Sequence, residues 1–149
     1  MIDDLAARLR HAAIDSVREI AISENIDATQ RALHLECADP WPESFDDLLD
    51  QMPGVSGVML TAPAAPGQAP DTRLVFGDPY VLDLLPAGDP PVRMRRHVQA
   101  FFQGNRYLLP ALVTHVLEQI PAGQRVLDLY AGVGLFAVSA AAARNAEVT

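Results

Sequence analysis

Lysine is absent from this chain of 149 residues, cysteine and tryptophan occur once each, and no apolar run reaches the roughly 20 residues needed to cross a bilayer. The lone Cys37 excludes an intramolecular disulfide framework, a four-cysteine zinc site and a self-contained iron–sulfur site. A basic leader is missing too: the start, Met1-Ile2-Asp3-Asp4, is acidic where a signal peptide is basic, so a soluble cytoplasmic protein is expected, with no membrane partner. No His, Asp or Glu is spaced to complete a metal site with His34 or His115, and none is expected. All eleven bases are arginine, which we read with the many alanines as codon bias and give no functional weight.

What is present suffices for a core, because half of the residues are hydrophobic and a fifth are charged. The net charge of −8 argues against nucleic acid, since phosphate attraction supplies most non-specific affinity, but its distribution reverses the argument locally. Residues 1–92 hold 16 acids and 5 arginines, whereas residues 93–149 hold 3 acids and 6 arginines. An anionic partner should therefore meet the later part, where Arg93, Arg95, Arg96 and Arg106 stand in an acid-free window and are candidates for RNA phosphates.

Apolar residues from Ile2 to Ala13 repeat at three and four, predicting a short amphipathic helix with Asp3 and Asp4 in its first turn. Val17–Ser23 and Arg31–Cys37 alternate as strands around a turn at 24–27, and Phe45, Leu48, Leu49 and Met52 form one helical stripe stopped by Pro53-Gly54. Val55–Thr61 reads as a strand, and the proline-rich 62–70 as an exposed loop tipping a long hairpin. Leu74–Phe76, Tyr80–Leu85 and the arginine-rich 92–98 are further strand candidates. From Asn105 to Ile120 the repeat is helical, with Asn105 as N-cap and Pro110 near the first turn. Phe101 and Phe102 read as core, and Trp41 as a packed loop anchor.

The chemistry-bearing stretch is Val126-Leu127-Asp128-Leu129-Tyr130, a short apolar run carrying one acid, which predicts a strand buried on both faces of a parallel sheet. Ala131-Gly132-Val133-Gly134 then turns, and Leu135–Ala143 forms a helix, so strand, glycine turn and helix make a nucleotide-binding unit. Gly132-x-Gly134-x-x-Ala137 also fits the dinucleotide pattern, which leaves an NAD(P)-binding oxidoreductase as an alternative. Asp128 favours the other choice: a carboxylate at the strand's carboxyl end repels a pyrophosphate and attracts an ammonium.

Asp128-x-Tyr130-x-Gly132-x-Gly134 resembles the first motif of class I methyltransferases, which bind S-adenosylmethionine. Together with Phe101-Phe102-Gln103-x-Asn105 and the run Val126–Phe136, it is similar to the RNA (uracil-5-)methyltransferase family, which makes 5-methyluridine in ribosomal and transfer RNA. The likeness is specific over 101–136 and looser over 17–100. It implies an α/β protein with an α+β substrate module, 1–98, followed by the first βα portion of a Rossmann-like methyltransferase domain, 99–149. It also implies S-adenosylmethionine as cofactor, with Gln103, Asp128, Tyr130, Ala131, Gly132 and Gly134 at its site. Two positions depart from the family, which commonly has Asn where Leu135 stands and often Cys at Ala131; Leu135 can make no polar contact.

In this family a cysteine thiolate adds to uracil C6, C5 attacks the sulfonium methyl, and a glutamate removes the C5 proton. Both residues are expected beyond Thr149, so the resemblance implies a catalytically incomplete member, with RNA as partner and a second polypeptide as one way of completing it. Cys37, on a strand face with Leu33 and Leu35, reads as a buried hydrophobe and not as that nucleophile. A non-catalytic module holding S-adenosylmethionine or RNA is the other alternative.

Overall fold

The computed structural model describes residues 2–11, 15–41, 52–64, 66–102 and 105–149, so the helix expected around 45–52 lies, but for Met52, outside the described residues. The chain divides into two compact units, Met1–Val81 with His97–Gln99, and Leu82–Arg96 with Ala100–Thr149. A single cut at 98 does not describe this division, because residues 82–96 pack with the later unit.

In the first unit, helix α1 (Ile2–His11) precedes four strands: β1 (Val17–Glu24), β2 (Arg31–Cys37), β3 (Gly57–Ala62) and β4 (Asp71–Gly77). They form one sheet in chain order, antiparallel between β1 and β2, parallel between β2 and β3, and antiparallel between β3 and β4. The hairpin of β1 and β2 closes where Glu24 opposes Arg31, whose guanidinium lies 2.6 Å from the carboxylate. Inside the turn, the buried Asn25 accepts from the Thr29 and Gln30 amides at 2.9 and 2.8 Å, satisfying donors that the ladder leaves over. The proline-rich loop joins β3 to β4, as its inability to hold a ladder predicted.

Alternation then sorts the side chains. Leu33, Leu35 and Cys37 of β2 and Val58, Leu60 and Ala62 of β3 point to one face, where Leu5, Trp41 and Met52 cover them as a single core. Burial pushes the Cys37 thiol upward in pKa, with Glu36 adding to the effect, which disfavours the reactive thiolate.

The opposite face carries a second, smaller apolar cluster, Ala32, Val81 and Val98 with Met59 against it, and beside it a polar group. Nε2 of the buried His34 lies 2.8 Å from Thr61 Oγ1 and 3.3 Å from the amide nitrogen of Gln99. Burial lowers the His34 pKa below its ordinary 6.5, with His97 helping and Glu36 and Glu19 opposing. Since the unfolded chain takes up a proton that the folded one resists, stability should rise with pH through the window just below 6.5 and level off above it. Urea midpoints measured between about pH 5 and 7 should show this slope, and His34→Gln should flatten it; equal slopes would remove His34 as its source.

β5 (Tyr80–Leu85) and β6 (Val92–His97) pair as a two-stranded sheet, and most of their residues lie in the second unit. Beyond them come helix α2 (Leu109–Glu118), β7 (Arg125–Val126), helix α3 (Leu135–Arg144) and β8 (Glu147–Val148). Asn105 serves as a cap, but one turn ahead of the regular helix: its side-chain oxygen accepts from the Tyr107 and Leu108 amides, and Pro110 sits in the first turn, where an amide is dispensable. α2 and α3 pack together, and Arg144 of α3 donates to the Leu117 carbonyl at 2.8 Å. No helix among the described residues is long and apolar enough to cross a membrane.

Candidate functional site

β7 and β8 run parallel, with Arg125 opposite Glu147 and Val126 opposite Val148. The ladder reaches Asp128, whose amide donates to the Thr149 carbonyl at 3.0 Å, and this fixes the carboxylate at the carboxyl end of the strand. The strand is not buried on both faces as expected, since Leu127 and Leu129 are 66% and 70% exposed and Tyr130 is fully exposed. A parallel strand is covered by helices and by neighbours on both edges. Among the described residues β7 has only β8 beside it.

The chain leaves the strand through three left-handed residues, Tyr130 at φ 64°, Gly132 at 56° and Gly134 at 79°. Glycine adopts this conformation without the strain that a β-carbon brings, and Gly134 forms the N-cap of α3 with its amide 2.8 Å from the Ala131 carbonyl. Open space surrounds Gly132, where the nearest atom that a β-carbon would meet is the Tyr130 carbonyl oxygen at 3.9 Å.

This turn borders a cavity of about 160 Å³ whose lining includes Asp128, Tyr130, Ala131 and Gly132. Four of the six residues expected at a cofactor site therefore meet there. Gly134 shapes the turn without lining the cavity, and Gln103 lies outside the described residues. The remaining lining is apolar and includes Phe101, Phe102, Leu129, Leu135 and Phe136. Leu135 thus contributes surface and no hydrogen bond, as its side chain requires. Phe101 is a correction, since it is 83% exposed and not core; two adjacent aromatic residues signal apolar payload, but not which of them the fold covers.

Asp128 Oδ2 is the one buried side-chain oxygen or nitrogen among the described residues with no hydrogen-bond partner. Such an atom costs about 1–3 kcal/mol, more when charged, unless water or a bound group pairs with it. A cation that donates hydrogen bonds, such as an ammonium, does so; a pyrophosphate would add repulsion. The chemistry of this atom fits the amino-acid end of S-adenosylmethionine, and the open turn at Gly132 leaves room for a close approach.

The arginines separate. Arg93 and Arg95 alternate onto the exposed face of β6, and Arg106 is half-buried, its guanidinium 5.3 Å from the ring centroid of Tyr107. Arg96 leaves the group expected to meet RNA, because its side chain is 4% exposed and bonded to Asp83. Among the described residues no group of three or more His, Cys, Asp or Glu could hold a metal ion.

No family model matches the chain. The 23S rRNA (uracil(747)-C(5))-methyltransferase of Pyrococcus abyssi is 50% identical to it over 42 residues, which are 28% of this chain and 10% of that protein. The structure of Pyrococcus abyssi tRNA (uracil-54, C5)-methyltransferase in complex with S-adenosyl-L-homocysteine matches 94% of this chain at a TM-score of 0.71 and 18% identity. In sequence over those 42 residues, and in fold over nearly all of its length, the chain is similar to RNA uracil-5-methyltransferases. It spans 36% of the length of that solved chain. M. jannaschii tRNA m1G37 methyltransferase matches 98% of this chain and 42% of its own at a TM-score of 0.46 and 13% identity. The likeness in fold to that solved methyltransferase thus extends over nearly all of the chain, while the sequence likeness covers 28% of it.

Proposed function

We propose that this chain binds S-adenosylmethionine and belongs to an enzyme that methylates uridine C5 in ribosomal or transfer RNA. The observation that carries the reading is the buried, unpartnered Oδ2 of Asp128 in a cavity bordered by the left-handed turn. Asp128 would hold the ligand's ammonium, the Tyr130–Gly132 turn would let it approach the backbone, and the aromatic and aliphatic lining would exclude water from it. S-adenosylmethionine supplies a methyl group made electrophilic by its sulfonium. Arg93, Arg95 and Arg106 would contact RNA phosphates. The thiolate for uracil C6 does not come from Cys37, which is buried in the core of the first unit. This chain alone should therefore bind ligand without turnover, and a further stretch of chain or a second polypeptide would supply the nucleophile and base.

Calorimetric titration tests the reading. S-adenosylhomocysteine should bind more tightly than about 100 µM, and NADH should not bind. Binding of NADH alone would install the dinucleotide alternative, and binding of neither would leave an interaction module.

A further inference from the structure

We infer that Arg96, held by Asp83, is a positioning residue for the ligand cavity, acting through the ring of Phe102. The inference rests on reading that cavity as the ligand site. Alternation along β5 buries Val81, Asp83 and Leu85, and alternation along β6 buries Met94 and Arg96, which brings two charged side chains to one covered face. Arg96 Nε donates to Asp83 Oδ2 at 2.6 Å, and the two side chains are 4% and 0% exposed. The guanidinium carbon lies 4.1 Å from the ring centroid of Phe102, and Phe102 lines the cavity that Asp128 also lines.

Stability alone does not account for this pair. Burying two charges costs as much solvation as their attraction returns, and apolar residues of similar volume commonly replace such pairs without loss. An apolar pair would not provide a flat cation against an aromatic face, an interaction that strengthens when both partners are shielded from water. Asp83 fixes the guanidinium at Nε, and the guanidinium in turn gives Phe102, which is only half-buried, a fixed partner. A cavity wall with a fixed ring loses less freedom when ligand binds.

The test removes the pair without leaving a lone buried charge. The full chain carrying 4-fluorophenylalanine at position 102 is prepared as wild type, as D83L/R96M and as R96K, together with an unlabelled F102L chain. We expect D83L/R96M to unfold at or above the wild-type temperature, while its fluorine resonance shifts and broadens and its affinity for S-adenosylhomocysteine falls about 10-fold. F102L keeps the ion pair and should lose a similar factor. R96K keeps the charge but not the planar fork and should fall between wild type and D83L/R96M.

A wild-type resonance and wild-type affinity in D83L/R96M, or unchanged affinity in F102L, would overturn the inference and leave the pair structural. If wild type binds no S-adenosylhomocysteine, the proposed function fails. The fluorine signal still reports on its own whether Arg96 fixes the ring.

Discussion

Asp128→Asn weakens S-adenosylhomocysteine binding by about 30- to 150-fold, the equivalent of about 2–3 kcal/mol for a hydrogen bond to a charged group, and leaves the ligand-free chain as stable as wild type or more so. The two halves of this expectation have one cause. Oδ2 has no hydrogen-bond partner in the protein, so a neutral amide of the same shape loses no contact there in the free chain. With ligand present the same charge complements an ammonium, and the amide forgoes that attraction. Calorimetry and thermal unfolding of one pair of proteins measure both signs. A variant that lost affinity and stability together would mean that Asp128 holds the β7 turn and not the ligand, which would sink the proposed function.

The largest expected effect on folding is at Leu60. Leu60→Ala should cost about 2–5 kcal/mol in urea unfolding, against a total stability of about 5–15 kcal/mol for a typical domain. Leu60 is fully buried on β3, pairs in register with the fully buried Leu35 of β2, and is flanked on its other side by β4. An interior strand position has ladders on both sides that resist collapse, so the cavity left behind stays open. Leu84→Ala is the control. Its side chain is half exposed at an outward position of β5, and its removal should change stability by no more than about 0.5 kcal/mol. Similar losses at Leu60 and Leu84 would contradict the core described for the first unit.

Local rules settle much of this protein without any tertiary contact. Alternation gave β1, β2 and the face shared by Leu33, Leu35 and Cys37; proline content gave the loop between β3 and β4; and Asp128 with its glycines gave the turn that borders the cavity. These features depend on neighbours within a few residues, so they are written in the order of the chain. The parallel pairing of β2 with β3 is not, because it requires a crossover from Cys37 to Gly57, and no local pattern names the partner of a strand.

The fate of Arg96 shows the same boundary. In sequence it is one of several arginines in an acid-free window, equivalent to Arg93 and Arg95. Period-two alternation does place it apart from those two, but only folding decides which face of β6 is covered and that Asp83 stands ready there. Phe101 and Phe102 divide in the same way, one exposed and one against a guanidinium. The sequence by itself determined where the glycine turn falls and most of the strands of the first unit. Tertiary structure alone decided which charge is buried, which aromatic ring is held and which carboxylate oxygen goes without a partner, since burial is a property of what packs against a residue and not of the residue.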